Sequence, residues 1–163
     1  MEKIDTQEVL ECAHTALRKA ARQLDIIYDE GLAPTKLKMT QVSLLSRIDK
    51  LGQPEAATLR ALAQDSGMRI SALTHALRPL VRDGLVEVHT DHKDKRIKHA
   101  VLTKPGRKQL HKGFLLWQAV NRRVELVLGG QSARLMLSRA DQVSSKDFLA
   151  AYNAKLADKQ GRG

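Results

Sequence analysis

Apolar residues recur at Leu10, Ala13, Leu17, Ala20, Leu24 and Ile27, with spacings that alternate between three and four. That rhythm predicts a long helix with a seam facing other helices. Asp5 or Thr6 is placed to cap it, Glu8 and Glu11 suit the positive end of its dipole, and Gly31 and Pro34 are expected to end it. Val42, Leu45 and Ile48 mark a shorter helix over Met39–Leu51, closed by Gly52 and a turn at Pro54. Two brief helices follow. Thr58 caps one over Leu59–Asp65, Ser66 and Gly67 turn the chain, and a second runs from Ile70 to about Asp83 with Ile70, Leu73, Leu77, Leu80 and Val81 inward. Pro79 costs about 3 kcal/mol inside an ideal helix, so this helix is expected to kink or to shorten toward its N-terminal half.

Gly84 suits the positive φ of a helix end. Val86–Thr90 and Ile97–Leu102 read as two strands joined by the polar connection Asp91–Arg96, a hairpin with an exposed tip. Thr103 then caps a long helix with Pro105 in its first turn and apolar positions at Leu110, Phe114, Trp117, Val120, Val124 and Leu128. Gly129 and Gly130 break it. A last helical region is expected from Ala133 to about Leu156, with a frayed end at Gly161-Arg162-Gly163.

The order helix, helix, helix-turn-helix, β-hairpin, helix, helix defines a mainly α fold with a small β wing (α+β), a winged helix-turn-helix. Three regions are expected: 1–38 as an N-terminal dimerisation helix, 39–104 as the DNA-binding winged helix-turn-helix, and 105–163 as C-terminal dimerisation helices. The terminal helices are too apolar on one side for a monomer surface, and a symmetric homodimer built from both ends would cover them.

Charge changes the picture more than size does. The 163 residues carry 28 Lys and Arg against 18 Asp and Glu, a formal net charge of +10. From Arg69 to Lys112 eleven basic residues stand against four acidic ones, so this stretch contributes seven of the ten net charges. A polyanion is the natural partner. Aromatic residues make up only 3% of the chain, which argues against RNA-recognition modules and single-strand binders that stack bases on exposed rings. The single cysteine excludes an internal disulfide and fits a reducing cytoplasm. No apolar run approaches the ~18 residues of a membrane span, and the polar start lacks the apolar core of a signal peptide. The expectation is a cytoplasmic protein with no membrane partner.

Several motifs resemble the MarR-type winged-helix regulators. They are Leu62-Ala63, Ser71-Ala72-Leu73-Thr74, Leu80-Val81-Arg82-Asp83-Gly84-Leu85-Val86, Asp94-Lys95-Arg96 and Leu102-Thr103-Lys104-Pro105-Gly106. The Asp-x-Arg at the hairpin tip, with Leu-Thr six residues after the Arg, is quite specific for that family. Upstream the likeness extends through Leu17-Arg18, Tyr28-Asp29, Thr40-Gln41 and Leu44-Leu45, and it weakens after Gly130. The resemblance implies a homodimer on a pseudo-palindromic double-stranded DNA operator, usually a repressor released by a small ligand or an oxidant. It also implies that Asp94 orients the wing through a salt bridge without facing DNA.

A helix over Ile70–Asp83 fits the major groove, with residues near its N-terminus toward base edges. Arg69, Ser71, Thr74, His75 and Arg78 are the candidates there, with helix capping the competing role for Ser71. Arg82 is placed to touch phosphate or to pair with a neighbouring acid. In the wing, Arg96 is the candidate for a narrow minor groove, while Lys93 and Lys95 are placed to hold phosphates.

Cys12 is a candidate redox site, set against a role as a small apolar seam residue; Glu8 and Glu11 nearby disfavour the thiolate that reactivity requires. His14, Arg18, Arg22 and Arg47 are candidates for an anionic aromatic effector, with ordinary solvated charges the alternative. His89 and His99 could face each other across the hairpin near His92, but zinc wants four N or S ligands, so neither metal nor cofactor is expected. There is no phosphate loop, nucleophile elbow or supported Cys–His arrangement, and so no enzyme. A sequence-nonspecific architectural DNA-binding protein would share the charge. A winged helix used only for protein contacts is disfavoured by the basic outward face of the second reading helix.

Overall fold

In the computed structural model, residues 12–53 and 55–160 are described, with side chains through Lys155. The elements are α1 (Ala13–Leu32), a 3-10 turn (Ala33–Thr35), α2 (Met39–Leu51), β1 (Ala57–Thr58), α3 (Leu59–Asp65), α4 (Ile70–Arg82), β2 (Val86–Thr90), β3 (Lys98–Leu102), α5 (Lys104–Leu128), α6 (Gly130–Ser144) and α7 (Lys146–Gln160). They divide between two compact units, Met1–Asn121 and Arg122–Gly163. The expected caps at Asp5 and Thr6, the acids Glu8 and Glu11, Leu10, the turn at Pro54 and the end at Gly161–Gly163 lie outside the described residues.

In the first unit α1 does not stop at Gly31. Gly31 lies in its last turn against Val120 of α5, where a Cβ would collide with a valine methyl. Close helix packing, not chain reversal, explains that glycine. The reversal comes at the 3-10 turn, where Thr35 is buried and donates its hydroxyl to the Leu32 carbonyl at 2.7 Å. Asp29 Oδ1 accepts from the Met39 N–H at 2.6 Å and Gln41 Oε1 accepts from the Lys38 N–H at 2.9 Å. These bonds satisfy donors at the start of α2 that lack helical partners.

The reading head is a helix-turn-helix followed by a wing. Thr58 Oγ1 accepts from the Ala61 N–H at 3.1 Å and caps α3. At the turn Gly67 has φ +62°, and Met68 N–H reaches back to the Ala63 carbonyl at 2.9 Å. The same arrangement closes α4, with Gly84 at φ +68° and Leu85 N–H on the Leu80 carbonyl at 2.9 Å. Both are Schellman ends, which favour glycine at the left-handed position. Proline does not shorten α4, which continues through Pro79 to Arg82. The carbonyl deprived of its donor is that of His75, on an exposed face where solvent can reach it.

Leu73, Leu77 and Leu80 are buried, but Ile70 and Val81 are 52% and 41% exposed, contrary to the inward positions expected of them. At about 100° per residue those two lie off the buried stripe, and Ala76 packs against the core instead. The core joins Leu32, Leu45, Ile48, Leu62, Leu73, Leu80 and Val86, so reading helix and wing root share one hydrophobic cluster.

The wing sheet has three strands, not two, in the order β1-β3-β2, all antiparallel. Register pairs His89 with His99 across the hairpin and Thr58 with His99 on the other side. Thr103 joins the wing to α5: its hydroxyl donates to the Gly84 carbonyl at 2.7 Å and accepts from the Gly106 N–H at 3.0 Å.

In the second unit the expected single helix is two. Ser145 is extended (φ −77°, ψ 153°), and its Oγ accepts from the Phe148 N–H at 3.1 Å, capping α7 as α6 ends.

Candidate nucleic-acid interface

At about 100° per residue, Ser71, Thr74, His75 and Arg78 fall within one sector of α4, opposite Leu73, Leu77 and Leu80. All four are exposed, as is Arg69 at the N-cap. Thr74 is partly engaged, its hydroxyl donating to the Ile70 carbonyl at 2.8 Å. Among the described residues, the side chains of Arg69, Ser71, His75 and Arg78 make no hydrogen bond or ion pair, and no side chain caps the helix at its N-cap. Arg82 pairs with Asp83 at 2.9 Å, one of the two roles foreseen for it.

The wing turn is built by two aspartates. Asp91 Oδ1 accepts from the Lys93 and Asp94 N–H groups at 2.7 and 3.0 Å, folding the turn back on itself. Those two N–H groups, and then His99, hold the Asp91 carboxyl down at about 2, below its ordinary 3.8. Asp94 accepts from both the backbone N–H and the Nε of Arg96, at 2.9 and 3.0 Å, and from its terminal nitrogen at 3.0 Å. The guanidinium lowers the pKa of Asp94 in turn. Arg96 remains 90% exposed at the side chain despite this pair, so Asp94 orients a guanidinium that still projects. Lys93 and Lys95 are exposed beside it.

Behind the tip lies a contact that the residue pattern did not reveal. His99 Nδ1 is 3.0 Å from the Ala56 carbonyl, and its Nε2 is 3.0 Å from Asp91 Oδ2. The Ala56 carbonyl, followed by Asp91, raises the pKa of His99 above its ordinary 6.5. His89, opposite it in register, bonds Glu87 at 3.1 Å instead. Among the described residues no group of three or more His, Cys, Asp or Glu is arranged to hold a metal.

The remaining candidates are dispersed. Arg47 bonds Asp65 at 2.9 Å and also contacts the Ser43 hydroxyl. It lines a cavity of about 340 Å³ with Val42, Lys50, Phe114 and Trp117, the two rings stacked with centroids 5.7 Å apart. His14, Arg18 and Arg22 stand exposed on α1 and do not line it. Cys12 is exposed at the N-cap of α1, 3.4 Å from the Thr15 hydroxyl, and hydrogen bonding from Thr15 lowers its thiol pKa. No helix among the described residues is long and apolar enough to cross a membrane.

The family model described as "MarR family" matches residues 37–98. Comparison with curated proteins returns no match. Among solved structures, the chain is similar to the transcriptional regulator MosR of M. tuberculosis in complex with DNA, with 36% identity and a TM-score of 0.72 over 82% of this chain and 96% of that one. It shares its fold with a mutant MarR from E. coli complexed with operator DNA (20% identity, TM-score 0.74, 86% and 99% covered). It also shares it with CouR from Rhodococcus jostii bound to p-coumaroyl-CoA (18% identity, TM-score 0.69, 83% and 94% covered). With a winged helix in place and 36% identity across nearly all of MosR, the chain belongs to the MarR family, whose members are transcriptional regulators rather than enzymes.

Proposed function

We propose that the chain is a homodimeric repressor that reads a pseudo-palindromic duplex with α4 and grips it with the wing. The observation that carries this reading is the set of free polar side chains at Arg69, Ser71, His75 and Arg78, all on exposed positions of a helix anchored by Leu73, Leu77 and Leu80. Arginine offers paired donors to guanine, and Ser, Thr and His can address bases or phosphates. Arg96, aligned by Asp94, enters the minor groove while Lys93 and Lys95 hold phosphates. Segment 39–104 does the reading, and 1–38 with 105–163 make the dimer. Leu17, Ile26 and Ile27 of α1 and Leu126, Val127, Leu135 and Leu149 beyond are exposed in the single chain, a surface that pairing would cover. MosR and the E. coli MarR mutant were each seen on DNA, which supports the same use here.

Release follows from an effector or an oxidant. The cavity beside Arg47 sets Lys50 and the Asp65-paired Arg47 over the Phe114 and Trp117 rings, a lining that suits an aromatic anion through Lys50, and CouR, a distant structural relative, was seen with p-coumaroyl-CoA. Oxidation would act through Cys12, which is exposed and whose thiol pKa is lowered by hydrogen bonding from Thr15, a direction that favours the thiolate.

Footprinting on a duplex selected from a random pool by the full-length protein tests this reading. The expected result is a protected inverted repeat with half-sites about one helical turn apart, and loss of protection with peroxide that Cys12→Ser abolishes. Protection of a single unrepeated half-site would overturn the dimer. Peroxide release unchanged in Cys12→Ser would overturn the redox role.

A further inference from the structure

The imidazole of His99 sits where two parts of the wing meet. One nitrogen is 3.0 Å from the carbonyl of Ala56, the residue before β1, and the other is 3.0 Å from Asp91 Oδ2 in the wing turn. A backbone carbonyl and an ionised carboxylate are both acceptors. Only the imidazolium can donate to both, because the neutral ring turns a lone pair toward one of the two oxygens. The side chains are partly covered, 20% and 29% exposed. Asp91 is in turn the residue whose Oδ1 folds the turn carrying Lys93, Asp94 and Arg96. The connection therefore runs from β1 through His99 and Asp91 to the tip.

We propose that His99 is the positioning residue of the wing: as an imidazolium it braces the tip against β1 through Asp91, so that the grip of the wing on DNA is linked to one proton. This rests on the reading that the wing touches DNA.

The surrounding charges agree in sign. Asp91 and Glu55 both favour the charged ring. On β2 the facing residue is His89, whose own charge would oppose that of His99, but Glu87 bonds it at 3.1 Å and offsets it. The helices α2 and α3 also pack on β3. They bring Arg47, Asp49, Lys50, Arg60 and Asp65, of which Asp49 is bound by Arg107 and Asp65 by Arg47. A raised histidine pKa in the folded wing means that the brace is fully present below about 6.5 and is lost as pH rises through the higher folded value. Duplex phosphates add negative potential, so binding takes up a proton and affinity falls as pH rises.

The test is a fluorescence-anisotropy titration of the full-length protein on a fluorescein-labelled duplex selected from a random pool, from pH 6.0 to 8.5 at fixed ionic strength. Wild type, His99→Gln and Arg96→Ala are compared, and the wild-type His99 ring is titrated by NMR. The wild-type Kd should rise about threefold to tenfold more across this range than that of His99→Gln, since one linked proton permits at most a decade per pH unit. His99 should titrate above 6.5. Equal pH slopes for wild type and His99→Gln, with Arg96→Ala weakened, would overturn the proton linkage and leave the wing reading standing. Arg96→Ala binding as wild type would overturn the wing reading instead. If His99→Gln does not fold, the ring titration decides alone, and a value at or below 6.5 overturns the brace.

Discussion

Arg78 and Arg96 differ in what already holds them, and that difference predicts how they act on DNA. Arg78 has no partner among the described residues and stands on the outward sector of α4, free to choose a base edge. Arg96 is aligned by three hydrogen bonds to Asp94 and projects as a fixed charge. Replacing Arg78 by Ala should cost about 1–3 kcal/mol on the preferred duplex and relax discrimination at one base pair. Replacing Arg96 by Ala should weaken binding to all duplexes of similar groove shape while leaving the dimer intact. Gel-shift titrations on a set of single-base variants check both, and an unchanged base preference in the Arg78 variant would remove its reading role. The Asp94–Arg96 pair was foreseen through the family resemblance that the Asp-x-Arg motif carries. The His99 brace was not, since its carbonyl partner is 43 positions away and local spacing carries no signal of it.

Among the elements, α4 is fixed from both ends by glycine-dependent turns. Gly84 has open space around the position of a Cβ, so a substitution there meets no neighbour and tests backbone conformation alone. Gly84→Ala at φ +68° should cost about 1–2 kcal/mol, lowering the thermal midpoint by roughly 2–8 °C for a chain of this size. Circular dichroism melting measures it, and an unshifted midpoint would contradict the Schellman assignment. Most elements were readable because each carries its own punctuation: Thr58 and Thr103 as caps, Gly67 and Gly84 as ends. Pro79 left a kink or a shortening open, and α4 is not shortened. Two features were not readable. β1 is two residues long and exists only by pairing with β3. Ser145 interrupts what the apolar pattern carried straight through, because a single capping hydroxyl outweighs a weak periodicity.

For the whole molecule, the positive charge concentrated between Arg69 and Lys112 suits a polyanion, and in the proposed reading α4 and the wing hold it. Charge alone would suit an architectural protein equally well. What separates the two is the free polar sector of α4, which an architectural protein does not need. Each phosphate contact should add about 0.9 to the slope of log affinity against log salt, and both readings share that dependence. The ratio of affinities for a selected duplex and a scrambled duplex of the same length and composition, measured at one physiological salt concentration, tests the central claim most directly. A ratio of about 10³ or more is expected of a regulator that reads sequence through α4; a ratio near one would contradict it.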